Sequence, residues 1–246
     1  MARPRTSAVP ELFLGLLAIS AAIAFTSDQV TDTIEERRRV DDKISVTGSA
    51  REPISANLVR WTLSVSREAP TPAGAARVLR GDVDEVRAFL RNAGIPAPAI
   101  SASVVTSERV VVQLSRRRKL IRHRVTQQLE VRTRDIDAVE PVATRVGELI
   151  ERGIGVSAGS LRYLSTELTQ AKLDALEAAT EEAHHRAEIL VKGLGGKLGR
   201  MRSSSLGVYQ VTPRDSTDVS DYGINDTSSR EKDVTAVVTA TFAVER

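Results

Sequence analysis

The chain has 246 residues, 41% hydrophobic and 27% charged, so it carries enough apolar material for a sizeable core. It has no cysteine, which excludes disulfides, thiolate nucleophiles and cysteine-based metal sites. The net charge of +3 is too small to indicate nucleic-acid binding by itself, and an aromatic content of 3% leaves few side chains on which bases could stack. We therefore predict no nucleic-acid partner.

The N-terminal segment, residues 1–27, is predicted to be a signal peptide or a signal-anchor. Arg3 and Arg5 precede an apolar run from Leu12 to Phe25, which is the layout of a secretory signal. Small residues at 22–24 offer a cleavage site. In either form, the segment indicates that the rest of the chain is exported.

An uncleaved anchor is the alternative to a cleaved signal. The apolar run alone is shorter than the ~30 Å hydrocarbon core, whereas a helix from Val9 to Val30 reaches that thickness. Residues 28–42 then form a charged linker before the exported domain, 43–246. We predict a single-pass protein of the cell membrane with its C-terminal domain in the periplasm or outside the cell, and a cleaved periplasmic form stays open.

The exported domain begins with two strands and a helix. A short strand opens at Ile44 and is expected to end before Pro53. The next strand, Val59 to Ser66, alternates apolar and polar side chains, which is typical of an antiparallel sheet with one solvated face. A helix follows with Thr71 as its N-cap, and Gly94 suits the left-handed position just beyond its end.

Two further helices and several strands complete the pattern. The remaining predicted elements are a strand at 100–114, a hairpin tip at 116–119, a strand at 122–134, a helix at 137–150, a strand at 154–168, a helix at 169–192, a strand at 200–211, a polar loop at 212–233 and a strand at 234–244. Three helices on an antiparallel or mixed sheet predict an α+β fold with two weakly repeated βαβ-type halves, preceded by the N-terminal hydrophobic helix.

The ordered set of segments resembles the SIMPL-domain family of bacterial envelope proteins. The segments similar to that family are the opening Lys43–Gly48 and Ala50–Glu52, the strand with Trp61, the helix exit Ala93–Ile95, the block Gly195–Gly199 and the tail from Asp221 to Phe242. The resemblance covers about residues 43 to 246, and the tail is like that of a membrane-anchored subgroup. It implies an exported homo-oligomer, since some members form large rings, with a role in oxidative-stress defence. It supplies no catalytic residues.

No catalytic, cofactor or metal site is predicted from the residues, and we expect no enzyme activity. His123 shares a strand face with apolar residues, which favours a partly buried structural role. His184 and His185 are adjacent on a helix, roughly 100° apart, so they cannot share one ion. The glycines at 193–196 follow a helix, which favours helix termination over a phosphate-binding loop. The aspartates of the tail loop do not match an EF-hand: Asp215, Asp218, Asp221, Asp226 and Asp233.

The strongest local signal is an arginine-rich face. Its members lie on the predicted hairpin tip and on one face of the following strand: Arg116, Arg117, Arg118, Lys119, Arg122, Arg124, Arg132 and Arg134. A solvated edge that discourages aggregation is one interpretation, and contact with an anionic partner is the other. Two hypotheses follow: a non-enzymatic envelope protein that self-assembles, or an envelope binding module that contacts anionic lipid or cell-wall polymer through this face.

Overall fold

The computed structural model describes residues 42–113, 115 and 118–245. The predicted signal or anchor and all but the last residue of the predicted linker lie outside these residues. Within the described part of the chain, no helix is both long and apolar enough to cross a bilayer. The helices are α1 (Pro72–Asn92), α2 (Ile136–Thr144), α3 (Gly147–Glu151) and α4 (Leu168–Gly193).

Eleven strands accompany these helices in the described residues. They are β1 (Lys43–Ser55), β2 (Leu58–Ala69), β3 (Ile100–Ala102), β4 (Thr106–Gln113), β5 (Lys119–Thr133), β6 (Val156–Ala158), β7 (Arg162–Leu164), β8 (Lys197–Leu206), β9 (Gln210–Pro213), β10 (Ile224–Asn225) and β11 (Glu231–Glu245). Helices packed with two sheets confirm the predicted α+β class, although the sequence pattern predicts a single sheet.

The chain divides into two compact units. The larger unit contains residues 50–178 and 208–236, and the smaller contains, of the described residues, 42–49, 179–207 and 237–245. The six-stranded sheet has the order β3-β5-β2-β6, with β4 also paired to β5 and β7 also paired to β2. All of its pairs are antiparallel.

The core of the larger unit lies between the apolar face of this sheet and the helices α1, α2 and α3. The alternation predicted for β2 is confirmed, because its residues Val59, Trp61, Leu63 and Val65 are buried while the intervening side chains are not. Trp61 also satisfies its indole N–H, since Nε1 donates to the carbonyl of Gly159 at 2.9 Å.

The predicted limits of α1 are confirmed in detail. Thr71 caps the helix by accepting a hydrogen bond from the N–H of Gly74, and Pro72 occupies the first helical position. The apolar stripe faces the core: Ala75, Leu79, Val83, Val86 and Leu90. Gly94 follows the helix with a φ of +94°, the left-handed conformation that only glycine adopts without strain.

The second sheet has the order β1-β11-β9-β10, with β8 also paired to β11. The prediction of two successive βαβ-type halves differs from this arrangement, because β1 pairs with a strand from the other end of the chain. The predicted end of β1 before Pro53 is wrong, because β1 lies at the sheet edge, where one side of the strand makes no ladder hydrogen bonds.

The core of the smaller unit depends on small side chains. Ala183 and Ala187 of α4 are fully buried and cluster with Val46, Ala240 and Phe242. α4 ends at Gly193, and Gly195 has a φ of +77°, so the predicted glycine-rich helix stop is confirmed. In this unit, β8 pairs with the part of β11 that begins at Val238.

Several predicted elements are interrupted. The strand expected at 100–114 is divided into β3 and β4. It is interrupted at Ser103, because the Ser103 hydroxyl accepts a hydrogen bond from the N–H of Gln128 and donates one to the carbonyl of Val104. The helix expected at 137–150 divides into α2 and α3, because the Thr144 hydroxyl donates to the carbonyl of Pro141, which would otherwise accept the next helical hydrogen bond.

Three other predicted boundaries are wrong. The segment 154–168 holds two short strands, β6 and β7, because each pairs with a different part of β2. The segment 200–211 is divided between β8 and β9, which pair with successive parts of β11. The polar loop predicted at 212–233 contains β10, which runs parallel to β9.

Candidate functional site

β5 carries the predicted arginine-rich face and pairs with β2 on one side and with β3 and β4 on the other. The predicted alternation is confirmed, because Val125, Leu129 and Val131 are buried and the even-numbered residues lie on the opposite, polar face. At about 3.3 Å per residue, Lys119 and Arg132 lie about 40 Å apart along the strand. The predicted basic residues that the structure describes therefore fall in three places along β5.

The first place is the end of the β4–β5 hairpin. Ser115 and Arg118 close the turn with reciprocal backbone hydrogen bonds of 3.2 and 3.3 Å. Arg116 and Arg117 lie outside the described residues. Arg118 and Lys119 are exposed, and neither has an ion pair within the part of the chain that the structure describes.

The same end of the hairpin exposes apolar side chains on both of its faces. Val111 is the register partner of Ile121, and Val112 is the partner of Leu120. The exposed fractions of these four residues lie between 40% and 49%. Exposed apolar pairs on both faces of a two-stranded ribbon leave area that only a further partner can bury. We call Val110–Gln113 and Lys119–Ile121 the hairpin end.

The second place, in the middle of the polar face, is neutralised within the chain. Arg124 donates to Glu68 of β2 at 2.6 Å and to Glu108 of β4 at 2.7 Å, both of which are its register partners. The hydrogen bond that Arg124 donates to Glu68, and after it the one to Glu108, raise the pKa of Arg124. Arg122 lies 3.9 Å from the other carboxylate oxygen of Glu68. Two carboxylates therefore balance the charge of two arginines here, although Nε of Arg122 is shielded from solvent and has no hydrogen-bond acceptor among the described residues.

The third place is at the far end of β5. Arg60 of β2 is the register partner of Arg132 on β5 and of Arg162 on β7. Three arginines therefore lie side by side on adjacent strands, on one face of the sheet. We call these three residues the arginine row. Arg134 is exposed just beyond β5. The sequence pattern places Arg60 on a polar face, but it does not reveal that Arg162 lies beside it, because strand register is not encoded locally.

Two cavities on the larger unit are bordered by charged side chains. The first, about 230 Å³, is bordered by Arg145 and Arg152, which both pair with Glu148, and Arg145 also lies 5.9 Å from the ring centre of Phe89. The second, about 390 Å³, is lined by Asp84, Arg87, Arg91, Ala97 and Ile100.

The histidines have separate local environments. His123 is half-buried on β5, as predicted, opposite Arg109. His184 is exposed, 3.7 Å from Glu188, with its ring edge-on to Phe242 at 5.7 Å. In the described residues, no group of three or more histidines and carboxylates could hold a metal ion.

The tail aspartates have separate environments. Asp215, Asp218 and Asp221 are exposed. Asp226 is instead part of a buried ion pair, since its carboxylate lies 2.8 Å from Nζ of Lys232, whose side chain is 3% exposed. The amine also donates to the Asp226 carbonyl at 2.9 Å, and Ser228 and Ser229 donate to the same carboxylate.

The Asp226 carboxylate has a strongly altered acidity. Burial by itself raises its pKa, but the hydrogen bonds from Lys232, Ser228 and Ser229 outweigh burial and hold the pKa well below its usual range. Asp233, also buried, accepts from the N–H of Asp215 at 3.1 Å and lies 3.6 Å from Arg51. These contacts give Asp226 and Asp233 a structural role, since their partners lie within the chain.

We expect the lowered pKa of Asp226 to make folding stability depend on pH in acid. A depressed folded pKa contributes stability that is present above the unfolded value near 4 and is lost as pH falls through the folded value. Urea unfolding of the wild type and of Asp226→Asn is followed from neutral pH to about pH 2. Below pH 4, the free energy of unfolding should fall less steeply with decreasing pH in the variant than in the wild type. Parallel declines would contradict this assignment.

Comparisons with known proteins place the chain in one family by sequence. Residues 44–242 match the family model SIMPL, described as a protein of unknown function. No curated protein matches the chain. These residues cover most of the exported domain predicted from the sequence.

Two solved structures from Burkholderia show a limited likeness. A putative amidohydrolase/peptidase from Burkholderia cenocepacia is 17% identical with a TM-score of 0.22, over 54% of this chain and 34% of that chain. An amidase of the hydantoinase/carbamoylase family from Burkholderia multivorans is 19% identical with a TM-score of 0.20, over 48% and 28%. The chain spans about a third of their length, and TM-scores this low support no inference about its activity.

Proposed function

The chain belongs to the SIMPL family, and on that premise we propose that it is a non-enzymatic, exported envelope protein that assembles into a homo-oligomer through the hairpin end. The N-terminal segment anchors it to the cell membrane or directs its export, and any role in oxidative-stress defence would be carried out by the assembly. The observation that supports self-assembly is the free, apolar edge of β4.

β4 lies at an edge of the six-stranded sheet, because within the described residues it pairs only with β5. Natural edge strands usually carry charges that prevent pairing with another chain. Near its C-terminal end, β4 instead has three successive valines, Val110 to Val112, and its side chains are almost all exposed. Unpaired backbone groups and exposed valines together favour the addition of a further strand.

A second copy of the chain is the partner that this edge fits best. Antiparallel pairing of two β4 strands centred on Val111 would place Val110 of one copy opposite Val112 of the other. Charged Glu108 and Arg109 would then lie outside the valine segment, so no like charges would meet within it. The symmetry of such a contact is that of an isologous dimer interface, from which larger closed assemblies can be built.

We expect Val111→Lys to reduce the assembly to single chains of 26.7 kDa, because a charge on the pairing edge opposes strand addition. The measurement is the mass of the full chain in non-ionic detergent by light scattering. Intact-mass spectrometry of the same sample shows whether residues 1–25 are retained, which distinguishes an anchor from a cleaved signal.

Val78→Lys is the matched control for this experiment. Val78 on α1 is 52% exposed, close to the 49% of Val111, but it lies on a helix and offers no strand edge. The control should assemble like the wild type. Assembly through β4 would be refuted by a monomeric wild type or by a Val111→Lys variant that assembles like the wild type. It would also be refuted if both variants lost assembly to the same extent.

A further inference from the structure

The arginine row has an excess of positive charge that the fold does not compensate. Glu130 is the carboxylate that approaches it, and the distance from Nε of Arg60 to the Glu130 oxygen is 3.6 Å, longer than a hydrogen bond. That Nε is shielded from solvent and has no hydrogen-bond acceptor among the residues that the structure describes. Arg132 and Arg162 are exposed, and neither forms an ion pair with any residue that the structure describes.

The other end of the same sheet face shows the usual solution for a cross-strand arginine. There, Arg124 has a carboxylate as its register partner on both neighbouring strands, Glu68 and Glu108. In the arginine row, the corresponding partners of Arg60 are two more arginines. Like charges directly opposite each other on neighbouring strands destabilise a sheet. The row therefore costs the fold stability unless an anion lies between the guanidinium groups.

The spacing of the row suits one compact anion. Side chains on directly paired strands begin about 5 Å apart, so three long arginine side chains can converge on a single ligand from adjacent strands. Guanidinium groups present paired N–H donors that match phosphate oxygens bidentately. Inorganic phosphate near neutral pH carries between one and two negative charges, and the phosphodiester of a phospholipid carries one. Both have several acceptor oxygens, so either can be shared among three arginines better than a carboxylate can.

We propose that the arginine row, Arg60, Arg132 and Arg162, is a binding site for a phosphate group, supplied either as free phosphate or by a phospholipid headgroup. The site is separate from the hairpin end and independent of assembly. The exposure of Arg132 and Arg162 leaves it open to a ligand, while Glu130 orients Arg60 from the side.

The test measures the thermal unfolding midpoint of the full chain in non-ionic detergent as inorganic phosphate is increased, with ionic strength held constant by sodium chloride. The midpoint of the wild type should rise and saturate. Arg132→Gln combined with Arg162→Gln should weaken the apparent phosphate affinity at least about tenfold, because charge-assisted hydrogen bonds are lost. Without phosphate, this variant should unfold at the same midpoint or higher, since repulsion is relieved.

Arg77→Gln combined with Arg80→Gln is the matched control, because both residues are exposed on α1 of the same unit and the change in net charge is identical. It should keep the wild-type response. Co-sedimentation with phosphatidylcholine vesicles, with and without phosphatidylglycerol, identifies the source. If the wild type and the control bind vesicles that contain phosphatidylglycerol and the row variant does not, the ligand is a headgroup. A response confined to inorganic phosphate indicates the free anion. If the row variant matches the control in both assays, the proposal is wrong.

Discussion

Lys232→Met is expected to lower the free energy of unfolding by about 3–5 kcal/mol, because it removes one partner of a buried ion pair and leaves the other charged. Lys232 is 2% exposed, and its amine makes hydrogen bonds to both the carboxylate and the carbonyl of Asp226. Methionine fills a similar volume, so the loss of stability comes from the unpaired charge rather than from a cavity. Urea unfolding followed by the fluorescence of Trp61, the only tryptophan, measures the effect in the larger unit.

Lys119→Met is the control that matches the chemistry of this substitution. Lys119 is exposed at the start of β5 in the same unit, so its replacement should change stability by less than about 0.5 kcal/mol. A second variant, Asp226→Asn in the Lys232→Met background, should recover part of the lost stability because no buried carboxylate remains unpaired. Equal, small effects of Lys232→Met and Lys119→Met would show that the buried pair does not stabilise the fold.

Gly48→Ala should destabilise the smaller unit by about 3 kcal/mol or more, because the added methyl has no space. A Cβ at this position would lie 2.2 Å from the carbonyl oxygen of Ala179 and 2.4 Å from the N atom of Ala183. Both are backbone atoms of α4, so no side chain can rotate away. Urea unfolding followed by circular dichroism of the full chain measures the loss.

Polar contacts prevent the helix from moving aside to accept the methyl. The Ser49 N–H donates to Glu182 at 2.6 Å, and Arg186 donates to the carbonyl of Thr47 at 2.9 Å, so both neighbours of Gly48 are tied to α4. The Ser49 hydrogen bond also lowers the pKa of Glu182. Separation of strand and helix would break these bonds, so either response costs stability.

Gly81→Ala separates this steric effect from the general effect of replacing glycine. Gly81 lies in α1, where an added methyl would meet no atom within 4 Å, and alanine there should stabilise the helix by up to about 1 kcal/mol. The two variants have the same change in the unfolded chain. A tolerated Gly48→Ala would mean that the close approach of strand and helix is not required.

Local structure follows from the sequence where a strong hydrophobic period meets clear signals at the ends of an element. β2 alternates strictly, and α1 has Thr71 at one end and Gly94 at the other, so the buried faces and the limits of these elements follow from neighbouring residues. The order of such segments also identified the family, which the match over residues 44–242 confirms. The N-terminal segment and the absence of enzyme activity stay predictions.

Contacts between residues that are distant in the chain could not be predicted from the sequence and are known from the fold. The pairing of β1 with β11, the close approach of Gly48 to α4 and the burial of Lys232 against Asp226 have no local signal, because each depends on a partner distant in sequence or on how the chain turns. The arginine-rich face shows the same limit. Local alternation placed Arg124 and Arg132 on one polar face. In the paired strands, however, Arg124 lies opposite two carboxylates, whereas Arg132 lies opposite another arginine. Register is a property of strand pairs, so a single strand cannot reveal it.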